Sequence, residues 1–79
     1  MDNNYIIQLI AKLDGSKTSN DLNKIEQQLN AKGINLKTSL DTATSKQELQ
    51  NLAKQLQSVL KANKMEIDTS KIMSAFNQV

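Results

Sequence analysis

Histidine, cysteine, tryptophan, proline and arginine are all missing from this chain of 79 residues. Losing His and Cys together removes the side chain that shuttles protons near neutral pH, the thiol nucleophile and the soft metal ligands. With no Cys there are no disulfide staples either, which argues against a secreted mini-protein scaffold. Aromatics are reduced to Tyr5 and Phe76, whereas binders of single-stranded nucleic acid interleave basic residues with stacking rings. Long apolar runs are absent and the opening Met1-Asp2-Asn3-Asn4 carries no basic cluster, so neither a secretion signal nor a membrane segment is expected.

What is present is polar and evenly charged. Ten Lys stand against eight acidic residues for a formal charge of +2, and the lysines run from Lys12 to Lys71 without clustering. Such a spread makes no patch for a phosphate backbone, and no nucleic-acid partner is expected. A chain this short buries about 60% of its unfolded surface, which leaves room for one thin core and excludes a multidomain enzyme. Nine Asn and eight Gln pull the composition toward the disordered range. The regular spacing of the apolar residues argues against disorder, and with neither a secretion signal nor a membrane span the chain is expected to be a soluble intracellular product or part of one.

Tyr5, Ile7, Leu9, Ala11 and Leu13 alternate with Ile6, Gln8, Ile10 and Lys12, the period of a strand over 5–13. Asp14-Gly15-Ser16 breaks it, and Thr18 with Asp21 resembles a capping box that opens a helix over 19–32. Leu22, Ile25 and Leu29 give that helix a narrow stripe, and Gly33 suits the left-handed position that ends it. Ile34, Leu36, Thr38 and Leu40 alternate again, which reads as a second strand over 34–40. Ser45 and Glu48 form what looks like a better capping box than the first, and Leu49, Leu52, Ala53, Leu56, Val59 and Leu60 make the widest apolar face, a helix over 46–62. A short alternating segment at 65–67 reads as a possible third strand, and Ile72, Met73, Phe76 and Val79 fall at helical spacing over 70–79.

Leu13-Asp14, Leu40-Asp41 and Ile67-Asp68 recur every 27 residues, and at the same offset Leu22, Ile25 and Leu29 map onto Leu49, Leu52 and Leu56. A strand, turn and capped helix used twice and begun a third time is the natural explanation. The expected fold class is therefore α/β: one small β-α-β-α(-β-α) repeat module over 1–79, with two to three short parallel strands and the helices packed on one face.

That arrangement leaves Ile6 and Ile10 on an uncovered sheet face, and parallel sheets are rarely left bare. Either the segment from Ser70 folds over them, or another copy or another chain does. Ile6 and Ile10, with Ile72, Phe76 and Val79 of the unfinished last stripe, are the candidate partner or self-association surface.

The only constellation that looks arranged for chemistry is Asp14, Asp41 and Asp68, which similar strand ends would place along one rim where hard cations find oxygen ligands. Carboxylates in those positions more commonly hold a turn or favour the positive end of the following helix. No Gly-rich phosphate loop and no nucleophile with an activating base is present. The Gln and Asn of the polar helix faces, such as Gln28, Gln50 and Gln57, read as a solvated surface, and Met65 and Met73 as gap-filling core. No catalytic residue, metal, cofactor or small-molecule substrate is expected.

The opening Asn4-Tyr5-Ile6-Ile7-Gln8-Leu9-Ile10-Ala11-Lys12-Leu13-Asp14-Gly15, the segment Asn35-Leu36-Lys37-Thr38 and the stretch Met65-Glu66-Ile67-Asp68-Thr69-Ser70-Lys71-Ile72-Met73-Ser74-Ala75 resemble the N-terminal region of tape-measure or minor tail proteins of tailed phages and prophages of low-GC Gram-positive bacteria. The resemblance covers nearly the whole chain, and Lys usage without Arg agrees with such a host. It implies a structural role, since proteins of that family are long and largely helical, run along the tail-tube lumen, set its length and contact tail-tip or tube proteins during assembly. It also implies location in the virion tail, assembled in the bacterial cytoplasm. A chain of 79 residues cannot span a tail, so it is expected to be a fragment of a longer one. The expected function is a non-enzymatic structural or assembly module of a phage tail with protein partners, either other copies or other tail proteins. The alternative is a free-standing protein-binding module, such as a phage-encoded inhibitor of a host protein.

Overall fold

In the computed structural model, which describes residues 3–78, the chain forms five helices: α1 Asn4–Leu13, α2 Ser19–Ala31, α3 Leu36–Thr42, α4 Lys46–Ala62 and α5 Thr69–Gln78. No strand occurs among the described residues, so the α/β class and the parallel sheet expected from the sequence are wrong. The strand expected over 5–13 is α1, the strand over 34–40 is mostly α3, and 65–67 is a non-helical link between α4 and α5.

The physical reason lies in how densely apolar the first segment is. Ile6, Leu9, Ile10 and Leu13 stand at i, i+3, i+4 and i+7, so the run that alternates for a strand also carries a complete helical stripe. In the folded chain Ile6, Leu9 and Ile10 are fully buried, while Gln8, Ala11 and Lys12 are exposed. A two- or three-stranded parallel sheet would need cover on both faces, which a chain of this size cannot provide. Folded as a helix, the segment satisfies its own backbone and buries one face. In α3, Leu36 and Leu40 are one turn apart, and the Asn35 side chain caps the helix by accepting from the Thr38 amide at 3.1 Å.

α2 and α4 occupy the stretches where the Leu22, Ile25, Leu29 stripe and the Leu49 to Leu60 face fall. Their N-terminal caps differ from expectation in rank. Thr18 and Asp21 make the full reciprocal box: the Thr18 hydroxyl oxygen accepts from the Asp21 amide at 3.3 Å, and Asp21 accepts from the Thr18 amide at 3.2 Å. Ser45 accepts from the Glu48 amide at 3.2 Å, but the Glu48 carboxylate takes the Thr44 amide at 2.7 Å instead of that of Ser45.

The two helices end alike. The Gly33 amide donates to the Asn30 carbonyl and the Ile34 amide to that of Leu29; at the end of α4 the Lys64 amide donates to Lys61 and the Met65 amide to Leu60, with all four distances between 2.9 and 3.0 Å. Each is a Schellman closure with its pivot residue in the left-handed region, at φ 74° for Gly33 and φ 63° for Lys64. α4 has 17 residues against 13 in α2, so the correspondence between them runs at 27 residues at their starts and 31 at their ends. The internal repeat is thus a repeat of capped helices. It fails elsewhere: Asp14 follows α1, Asp41 lies inside α3, and the Asp68 carbonyl accepts the first amide bonds of α5.

α1 packs on α2, α3 and α5, α2 also packs on α4, and α4 on α5. One core results, drawing Ile6, Leu9 and Ile10 from α1, Ile25 and Leu29 from α2, Leu36 from α3, the Leu52 to Leu60 stripe from α4 and Ile72, Ala75 and Phe76 from α5. Each fully buried Ile or Leu stabilises the fold by about 1.5–3 kcal/mol. The Cα radius of gyration of 11.3 Å is close to the about 12 Å expected for a well-packed chain of this length, so α5 lies folded back on its neighbours. Asn3, just before α1, is the one fully buried polar side chain among the described residues. Its amide nitrogen donates to Asn30 Oδ1 at 2.6 Å and to the Ile34 carbonyl at 3.1 Å, and its Oδ1 accepts from the Leu36 amide at 3.0 Å.

Candidate functional site

Ile6, Ile10 and Ile72 are fully buried and Phe76 is 7% exposed, all within the common core. The uncovered face that made them a candidate partner surface does not exist, because α5 packs on α1 where the expected sheet would have been bare. These four side chains therefore hold the chain together, and the docking surface proposed on them is corrected. Val79, the fifth candidate, lies outside the described residues.

The three repeated carboxylates are not brought together. Asp14 sits in an Asx turn in which its Oδ1 accepts from both the amide and the hydroxyl of Ser16. The Ser16 hydroxyl, then its amide, hold the Asp14 carboxyl below the usual carboxylate range. The Thr18 amide, then its hydroxyl, do the same for Asp21. Both shifts come from local turn and cap geometry. Asp41 is exposed on α3 and Asp68 is exposed just before α5. Among the described residues no group of three or more acidic side chains is placed to hold a metal ion.

Two side chains of the polar helix faces have internal partners. The Asn63 amide nitrogen donates to Gln28 Oε1 at 2.9 Å and to the Val59 carbonyl at 2.8 Å, which ties the end of α4 to α2. Gln57 donates to the Ile67 carbonyl at 3.0 Å and holds the α4–α5 link against α4. Gln27, Gln50, Asn51 and Gln55 are exposed. Met65 is buried and Met73 half-buried against the core.

Several depressions open on the surface of the described residues. One of about 390 Å³ is lined by Lys32, Ile34, Gln55 and Ser58, and one of about 320 Å³ lies between α3 and α4 beside Ser39, Thr42, Glu48 and Asn51. Small-molecule sites of this size are lined mainly by apolar and aromatic side chains around a few convergent polar groups. Here polar side chains predominate in both linings, with Ile34 the apolar member of the first and Ala43 and Leu52 those of the second. No helix among the described residues is long and apolar enough to cross a membrane.

The residue that sequence reasoning missed is Asn3. Nothing in Asp2-Asn3-Asn4 marks one Asn as buried, and the signal appears only once Asn30, Ile34 and Leu36 are known to converge on it. Comparison with protein-family models, with characterised proteins and with solved structures found no match to this chain.

Proposed function

We propose that this chain is a non-enzymatic protein-interaction module, acting as a structural or assembly element of a phage tail. The observation that carries the first half is the division of labour among its side chains. Apolar residues are committed to one core, while the exposed helix faces carry Gln, Asn and Lys without any pairing of nucleophile with base. A scaffold of that kind has its surface available for macromolecular contact and little with which to do chemistry.

The second half rests on the resemblance to the N-terminal region of tape-measure and minor tail proteins. The five-helix architecture agrees with the largely helical character that the resemblance implies, and the tail tube and tail tip are the partners it suggests. The test is direct: tailed particles are purified from the host that carries this sequence, and their proteins are digested and identified by mass spectrometry. Peptides of this chain at a defined copy number per particle support the tail role. Their absence from intact particles, in cells that do express the chain, would falsify it.

One observation favours a second reading, a free-standing binding module such as an inhibitor of a host protein. Ile6, Ile10, Ile72 and Phe76 are covered by the chain itself, so no neighbouring copy is needed to complete the core. Affinity capture from host lysate, compared with capture of tail proteins expressed alongside, separates the two.

A further inference from the structure

Tyr5-Ile6-Ile7-Gln8-Leu9-Ile10 lies inside a run from Asn3 to Ala11 that has no charged residue, no Gly and no Pro. Five of its six side chains are aromatic or large aliphatic, three of them Ile, the composition that favours extended over helical backbone. Its alternation puts Tyr5, Ile7 and Leu9 on one strand face and Ile6, Gln8 and Ile10 on the other, so a stack of such strands would have two dry faces and a ladder of Gln8 amides. In the folded chain the segment is helical, with Ile6, Leu9 and Ile10 buried and Tyr5 and Ile7 half-buried. α2 and α4 carry Lys or acidic residues within their stripes, which interrupts pairing of that kind; in α5 the one charged residue, Lys71, precedes Ile72, and its stripe is less densely apolar than that of α1.

What holds the segment helical is tertiary. A ten-residue helix is too short to persist alone in water, so α1 depends on its packing against α2, α3 and α5 and on the Asn3 side chain that fastens its start to Asn30, Ile34 and Leu36. We propose that Tyr5–Ile10 is a latent strand-pairing site for further copies of this chain, kept closed by the packing of α1 and the Asn3 fastening, and that release of α1 converts the protein into cross-β assemblies. The occupant is a second copy, since identical uncharged segments stack in register.

Four forms of the full chain test this: the parent, Asn3→Ala, Asn3→Ala with Gln8→Lys, and Asn3→Ala with Gln50→Lys as a control bearing the same charge on exposed α4. Each is agitated at matched concentration while thioflavin T fluorescence is followed. Fibre diffraction is examined for the about 4.7 Å strand spacing, and the protease-resistant core is mapped by mass spectrometry. Asn3→Ala is expected to shorten the lag at least about tenfold through a larger open population. Gln8→Lys is expected to restore the lag, Gln50→Lys to leave it short, and the resistant core to contain residues 5–10. The proposal is overturned by equal lags with and without Gln8→Lys, by a resistant core elsewhere, or by an Asn3→Ala chain that loses its helicity yet stays soluble. Should Asn3→Ala match the parent in stability, the parent is assayed at its urea midpoint, and solubility there overturns the proposal as well.

Discussion

The side-chain amide of Asn3 donates to the side-chain oxygen of Asn30 at 2.6 Å, joining the residue before α1 to the last turn of α2 across 27 residues of chain. The same amide reaches the Ile34 carbonyl, and its oxygen takes the Leu36 amide, the first donor of α3. One buried side chain thereby fixes three helices relative to one another. No buried side-chain polar atom lacks a partner among the described residues, and Asn3 is the reason at this junction.

Asn3→Ala is accordingly expected to lower stability by about 2–4 kcal/mol, because it strands the Leu36 amide and the Ile34 carbonyl away from water. Urea titration followed by far-ultraviolet circular dichroism measures it, and a loss below about 0.5 kcal/mol would show that water replaces the side chain. Asn3→Asp keeps the shape but loses the donor. A carboxylate there faces the Asn30 and Ile34 oxygens, so burial and repulsion raise its folded pKa above the unfolded value near 3.9. Between those two values the folded state holds more protons, so the stability of the variant should fall as pH rises from about 4. The parent should show no such decline.

The two left-handed helix ends make opposite predictions. A Cβ on Gly33 meets nothing within 4 Å, so Gly33→Ala costs only backbone strain, about 1–2 kcal/mol. Lys64 already bears that strain at φ 63°, and Lys64→Gly should stabilise the chain by about 0.5–1 kcal/mol. Thermal melts of the two variants beside the parent suffice: Tm should move down for the first and up for the second. Movement of both in one direction would contradict the matching Schellman geometry.

Ile10, fully buried, should lose about 2–5 kcal/mol on replacement by Ala, and Leu22, half-buried at the start of α2, about 1 kcal/mol or less. Ile10→Lys should unfold the chain outright, since it introduces an unpaired charge into the core. Denaturant titrations rank the three, and light scattering coupled to size exclusion distinguishes unfolding from dissociation of an oligomer. A folded Ile10→Lys monomer would mean that the side chain faces solvent.

Asp14 and Asp21 are held below the ordinary carboxylate range by Ser16 and Thr18. Folded carboxylates of this kind bind fewer protons than unfolded ones, so their contribution is present above the unfolded pKa near 4 and is lost as pH falls through the folded values. Tm should therefore drop below about pH 4. An Asp14→Asn, Asp21→Asn double variant should start lower at neutral pH and show a shallower drop. An unchanged acid profile would place the pH dependence in other carboxylates.

α2 and α4 were legible in the sequence because their apolar stripes are narrow and separated by polar residues, and because Thr18, Ser45 and Gly33 punctuate them. α1 was not. Seven of its ten residues from Asn4 to Leu13 are apolar or aromatic, and a run that dense satisfies periods of two and of 3.6 together. α3, with seven residues, is too short for its period to decide between helix and strand. The error then propagated: a bare sheet face inferred for Ile6 and Ile10 turned core residues into a docking surface. Lys64 could not be foreseen from its residue type, since its left-handed backbone is visible only by comparing the end of α4 with that of α2.

The packing of α5 against α1 has a consequence for synthesis. α1 packs on α5 as well as on α2 and α3, so part of its cover comes from contacts of high sequence separation, which form late. During translation α2 and α3 can pack on α1 first, and the part of its apolar stripe that faces α5 stays uncovered until α5 has emerged. The interval between translation of α1 and release of α5 is when a chaperone has most to hold, and slowing of the ribosome in that window should lower the yield of folded chain more than slowing anywhere earlier.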